Sequence, residues 1–227
     1  PSGYPLKEIV PDPISVPSVP AKGASSMVAA ASFPATYDMR TLNKLPPVRN
    51  MGNCGSWAFP AYASIESGLK PREARDFSEA HYADTHGFDY PWCSLTSPAM
   101  LVAYLARWSG LGEDAEYPNP IFPNTTSIAV KKHIQNVDYL PARATGLNND
   151  AIKSAVMAGN AVVTGIAVDA NSYNAANSTF YAPTNIGVNY AVAIVGWDDN
   201  FSKNLFNTPP TGDGAFIVRA SEGTNIG

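Results

Sequence analysis

Four groups of side chains in this sequence could do chemistry: two cysteines, three histidines, a loose set of aspartates and three Asn-X-Ser/Thr triplets. Cys54 and Cys93 fit one disulfide or two free thiols, and the count alone suits a secreted chain with one staple as well as a cytosolic chain with none. His81 and His86 lie five positions apart, a poor match to one helical face, and neither stands beside a cysteine pair. Zinc-ligand spacing is therefore lacking, and these two, with His133, read as polar, partly exposed histidines. Asp198, Asp199 and Asp213 fall among Gly, Pro and Asn. A calcium loop needs about six to eight oxygens at set spacings, which these do not match, so they read as a solvated turn. No metal and no cofactor is expected. Asn124-Thr125-Thr126, Asn177-Ser178-Thr179 and Asn200-Phe201-Ser202 are glycosylation-type triplets, of consequence only in a chain secreted through a glycosylating route.

The elements that must position such groups belong to a folded chain. Of 227 residues, 45% are hydrophobic and 15% charged, which excludes a wholly disordered chain. The length suits one large domain or two lobes sharing an interface. A net charge of −4 argues against nucleic acid as a partner, because phosphate binding needs a basic surface. No stretch reaches the roughly 18 apolar residues of a membrane span. With 20 prolines and 17 glycines, much of the chain is loop. Pro1 is not a natural start, so a processed or trimmed chain is expected.

Residues 1–32 carry six prolines and then a small-residue run, and read as an extended arm, linker or propeptide remnant. Gly52 to Ser56 is a polar turn. Trp57, Ala58, Phe59, Ala61, Tyr62, Ile65 and Leu69 predict a helix apolar on most sides and hence buried. Ser56 is its expected N-cap, and Pro60 falls in the first turn, where it is tolerated. Further helices are predicted over Pro98–Ser109 and, capped by Asn149, over Asp150–Ala158. Ala161–Val168, Val188–Gly196 and Gly214–Ala220 read as strands. Helices first and strands later predict an α+β protein with two lobes.

The run Pro47-Val48-Arg49-Asn50-Met51-Gly52-Asn53-Cys54-Gly55-Ser56-Trp57-Ala58-Phe59 resembles the active-site segment of papain-like cysteine peptidases. Tyr37-Asp38-Met39-Arg40 is similar to that family's mature N-terminal segment, and Phe77-Ser78-Glu79-Ala80-His81 to its following helix. The run from Asn189 to Trp197 is similar to the strand that carries the catalytic histidine, and Gly214 to Thr224 to the strand that carries the asparagine. The runs Tyr104 to Gly110 and Trp197 to Asn200 resemble the bacterial and archaeal branch, whose members are secreted or on the cell surface. The likeness runs from about Phe33 to Gly227 in the family's order. It implies a papain-like two-lobe fold: a helical N-terminal lobe over about 33–140, a β-rich C-terminal lobe over about 141–227, and a cleft between them. It also implies a Cys54–Cys93 disulfide. Because further strand follows in the family, truncation after Gly227 is expected.

Peptide hydrolysis in this family needs a thiolate nucleophile, a histidine base, an asparagine that orients the histidine, and a glutamine that stabilises the oxyanion. Against that pattern this sequence departs at every position. It reads Cys-Gly-Ser-Trp where the family reads Cys-Gly-Ser-Cys-Trp, so Cys54 matches the disulfide and Ser56 stands directly before Trp57. The base position, within the expected window of roughly 130–150 residues, holds Tyr190. A phenol with a pKa near 10 donates a hydrogen bond but is a poor base. Ala220 replaces the asparagine, Met51 the glutamine, and Glu222 the tryptophan that usually follows. Ser94, Leu95, Thr96 and Ser97 occupy the stretch of the family's Gly-Gly.

Losing a whole triad costs on the order of 10⁶ in turnover, and losing an oxyanion donor roughly 10²–10³ more. The expectation is a secreted or cell-surface pseudopeptidase, a part of a larger surface protein, whose cleft takes a peptide or protein ligand without cutting it. Gly52, Trp57, Ser94, Leu95, Tyr190 and Trp197 are the expected cleft lining, with Phe88, Tyr90 and Trp92 as further candidates. Two alternatives stand beside it. One is an active cysteine endopeptidase in which the natural chain carries a cysteine between Ser56 and Trp57. The other is a structural extracellular domain whose cleft Tyr190 and Met51 close.

Overall fold

The computed structural model describes residues 32–50, 57–70, 72–89, 96–118, 127–169, 171–184 and 187–223. The elements are β1 (Thr36–Asp38), α1 (Ala58–Leu69), α2 (Glu79–Thr85), α3 (Pro98–Ala106), α4 (Asp150–Met157), β2 (Val162–Ile166), β3 (Tyr173–Asn174), β4 (Thr179–Phe180), β5 (Tyr190–Asp198) and β6 (Ala215–Arg219). This is an α+β fold of helices and an antiparallel sheet, as the sequence predicts. Among the described residues no helix is long and apolar enough to cross a membrane.

The sheet is organised on β5, whose first eight residues are buried. A strand covered on both faces reads as a continuous apolar run, as Ala191 to Val195 does. Along one edge β5 pairs with β2 (Ile166↔Tyr190 to Val162↔Ile194) and then with β1 (Asp38↔Gly196 to Thr36↔Asp198). Along the other it pairs with β6, with a register shift between Ile194 and Gly196. Gly196 is required there: a Cβ would come within 2.2 Å of the Tyr37 carbonyl oxygen. β1 is not among the runs that read as strands. Its three residues owe their conformation to the free edge of β5, a tertiary effect.

Two hydrophobic cores meet along α1 and β5. One gathers Trp57, Tyr62, Phe77, Tyr82, Leu101, Tyr104 and Leu111 around Ala191 of the sheet. The other packs Met39, Ala63 and Val156 against Ala193, Ile194, Val195 and Trp197. α1 and β5 thus supply residues to both and form the seam.

Several helix ends differ from expectation. α1 is described from Trp57, whose carbonyl accepts from Ala61 N–H at 3.3 Å, and its expected cap Ser56 lies outside the described residues. α3 stops at Ala106, short of Ser109, since Trp108 takes a left-handed φ of 65°. Asn149 precedes α4 but makes no side-chain cap. Its Oδ1 accepts from Arg143 Nη1 at 2.8 Å instead. α2 is capped by Ser78, whose Oγ accepts from His81 N–H at 3.0 Å and donates to the Tyr117 carbonyl. Ser78→Ala removes both bonds at a buried site and is expected to lower the unfolding free energy by about 1–2 kcal/mol, read from denaturant midpoints at unchanged slope.

Candidate functional site

The strand β5 begins where the sequence places the family's histidine. Asn189 fixes the entry: its Nδ2 donates to the Val168 carbonyl at 2.9 Å and its Oδ1 accepts from Val168 N–H at 2.7 Å. That clamp sets the register in which Tyr190 pairs with Ile166. Tyr190 is buried, and its hydroxyl donates to Glu222 Oε2 while accepting from Ser221 N–H at 3.4 Å. Glu222 in turn forms an antiparallel bridge with Asn50, and Gly223 N–H donates to the Arg49 carbonyl at 3.0 Å. The segment after β6 is thereby tied to the backbone that leads into the expected nucleophile loop. Ala220, half-buried between Arg219 and Ser221, offers no polar side chain.

Trp57 is buried at the start of α1, in the core that includes Ala191. Its indole Nε1 has no hydrogen-bond partner among the described residues. Trp197 does not line a cleft with these residues, contrary to the sequence expectation. It sits at the far end of β5, seven strand positions from Tyr190 or roughly 23 Å at about 3.3 Å per residue. There it is 1% exposed, stacked on Tyr37 at 5.2 Å between ring centroids. Burying its large ring in the sheet core is the more favourable use of apolar area. Met51, Gly52, Cys54, Ser56, Tyr90, Trp92, Cys93, Ser94 and Leu95 lie outside the described residues, and with them the expected disulfide. Phe88 stacks on His86 at 5.7 Å and lies under the Arg107 guanidinium.

The three histidines are all engaged elsewhere. His81 and His86 are buried rather than partly exposed, because α2 turns its inner face onto an aromatic cluster. His81 Nδ1 is 2.7 Å from the Tyr104 hydroxyl, and its ring meets Tyr117 edge-on at 5.4 Å. His86 packs on Tyr82 at 5.6 Å and its Nδ1 accepts from Phe88 N–H at 3.0 Å. Desolvation lowers the pKa of both below the ordinary histidine value. His133, exposed, lies 4.5 Å from the Trp108 ring. Among the described residues no group of three or more His, Cys, Asp or Glu could hold a metal ion. The aspartate loop is partly engaged: Asp199 takes the Lys153 ammonium on both oxygens at 2.7 Å, and Asp213 accepts from Lys203 N–H at 3.0 Å.

A charged cluster behind the site has no counterpart in the sequence reading. Arg49 pairs with Asp76, with Glu79 at 3.2 Å and with Asp114 at 2.8 Å. Arg219, at the end of β6, is buried over the Phe59 ring and donates to the Pro47 carbonyl. A signal was present in Glu66, a carboxylate within the predicted buried helix, since such groups rarely go inside without partners.

The chain is similar to known proteins over most of its length. The model of a family described as papain family cysteine protease matches residues 33–227. Cathepsin L 2 of Paramecium tetraurelia is 26% identical over 194 residues, which cover 81% of this chain and 54% of that protein. The viral cathepsin of Autographa californica nuclear polyhedrosis virus is 26% identical over 198 residues, covering 82% of this chain and 59% of its own. Among solved structures, the cysteine protease and lectin-like domains of Cwp84, a surface layer associated protein of Clostridium difficile, superpose with a TM-score of 0.66 at 25% identity, over 86% of this chain and 47% of that one. Digestive procathepsin L2 of Tenebrio molitor gives a TM-score of 0.68 at 23% identity, over 88% and 62%. The chain spans about half the length of the first curated relatives it matches.

Proposed function

The chain belongs to the papain family of cysteine proteases, and from that premise we propose that it is a catalytically inactive member, a secreted or cell-surface domain that holds a peptide or protein ligand without cutting it. The observation that carries this reading is Tyr190. At the head of β5 the hydroxyl is committed to Glu222, while His81, His86 and His133 are held by other partners. A base must lie within hydrogen-bond reach of the group it deprotonates, and none of the three imidazoles is placed at this strand end. Ala220 adds no orienting group. The surface location draws support from the clostridial neighbour, which is described as surface layer associated.

The same burial of Tyr190 favours a second reading, in which this face is closed and the domain is purely structural. Three measurements separate the possibilities. The intact mass of the purified protein is expected to fit the sequence with no cysteine between Ser56 and Trp57, and a thiolate-reactive peptidase probe is expected to leave the protein unlabelled. Labelling at a cysteine in that position overturns the inactive reading. Titration with a peptide library, followed by amide chemical shifts, then decides between a ligand-holding groove and a closed one. Saturable shifts around Tyr190 support the first, and unchanged spectra the second.

A further inference from the structure

Glu66 lies on the inner face of α1 and is 2% exposed. Its Oε1 accepts from Phe77 N–H at 2.7 Å, and its Oε2 has no hydrogen-bond partner among the described residues. Glu79, the first residue of α2, is 4% exposed and meets only Nη1 of Arg49 among the ion pairs. From β6, Arg219 reaches into the same seam at 7% exposure, and its Nε and Nη1 likewise lack partners among the described residues. The other charged or titratable groups that face the pair are Arg49, Asp114 and Asp76, the Lys70 ammonium at the end of α1, and the phenol of Tyr62. Lys70 is occupied by the Leu45 carbonyl at 3.1 Å. Two carboxylates are thus enclosed where helices and sheet join; among the described residues Glu66 Oε2 meets no donor, while Glu79 has Arg49 and its own backbone N–H.

We propose that Glu66 and Glu79 form a proton-binding site at the seam of α1, α2 and β6, filled in mild acid and emptied at higher pH, so that acidification tightens the joint between helices and sheet. Burial supports this by raising each carboxyl from 4.5 to about 7, helped on Glu79 by the nearby Glu66 and Asp114, and against the opposing pull of the Phe77 N–H, Arg219, Arg49 and Lys70 on Glu66 and of Arg49 and its own backbone N–H on Glu79. The folded chain therefore keeps protons that the unfolded chain has released. The stabilisation is full below the unfolded value of 4.5, is lost as pH climbs through the folded value of about 7, and is flat above it. The buried His81 and His86, whose pKa values are lowered, act with the opposite sign and lose stability as pH falls. Variants that keep both histidines isolate the carboxylates.

The test is the thermal midpoint of the whole chain at about pH 5 and about pH 7.5, for the wild type, Glu66→Gln and the Glu66→Gln/Glu79→Gln pair. Between those pH values the wild type is expected to lose on the order of 5–10 °C more than the double variant does. At the higher pH the double variant is expected to match or exceed the wild type. Parallel pH profiles for the three proteins overturn the proposal. An independent readout on the wild type alone is the infrared carbonyl band of protonated carboxyls near pH 6. Its absence there overturns the proposal even where a variant fails to fold.

Discussion

Inserting a cysteine between Ser56 and Trp57, together with Tyr190→His, Ala220→Asn and Met51→Gln, is expected to produce measurable peptide hydrolysis, whereas the unaltered chain and each single change stay at background. The reason is non-additivity. A nucleophile, its base and the group that orients the base act as a unit, and losing one member costs nearly as much as losing all, on the order of 10⁶ in turnover. An imidazole at position 190 without a thiol has nothing to deprotonate. A thiol at the helix start without an imidazole has nothing to return a proton to the leaving amine. Turnover of a fluorogenic peptide, with thermal unfolding to confirm that each variant folds, checks this. Hydrolysis by the unaltered chain, or a folded four-fold variant at background, contradicts it.

Trp197→Ala is expected to lower the unfolding free energy by about 3–5 kcal/mol, the range for deleting a large buried aromatic side chain. The ring is 1% exposed and stacks on Tyr37 with an interplanar angle of 19°. Phe33 meets it edge-on at 6.3 Å, and the Lys153 ammonium lies 5.0 Å from its centroid. Its Nε1 donates to the Pro34 carbonyl at 3.0 Å. The indole thus fastens residues 33–38 onto β5, and its loss leaves a cavity as well as an unpaired carbonyl. Trp197→Phe keeps the aromatic contacts and is expected to cost about 1–2 kcal/mol, for the lost hydrogen bond and the smaller ring. Urea midpoints measure both, and a Trp197→Ala cost below about 1 kcal/mol would show that this ring is not what anchors β1.

Much of this architecture can be read from residue order. The apolar run at Ala191–Val195 and the buried face of α1 are local signals, and they appear where the sequence places them. What the sequence hides is non-local. β1 exists because an edge of β5 is open to it, and Trp197 is in a core rather than a cleft because of where β5 ends. His81 and His86 are inside because α2 packs on aromatics from α3 and the following loop. The site was legible as a set of replacements, since Tyr190 and Ala220 are recognisable by position. That Glu222 would take the Tyr190 hydroxyl was not, because a contact between residues on two strand ends depends on register.

The two strands that share one edge of β5 lie at very different distances from it along the chain. β1 ends 152 residues before Tyr190 (190 − 38) and β2 only 24 (190 − 166), and until β5 emerges neither has the strand it pairs with. The β1–β5 pairing therefore forms late, brings together stretches of distant sequence and carries a large loop-closure entropy. During elongation the apolar residues of the sheet core stand exposed, so a chaperone that holds nascent chains would find its main task in the interval before β5 leaves the exit tunnel.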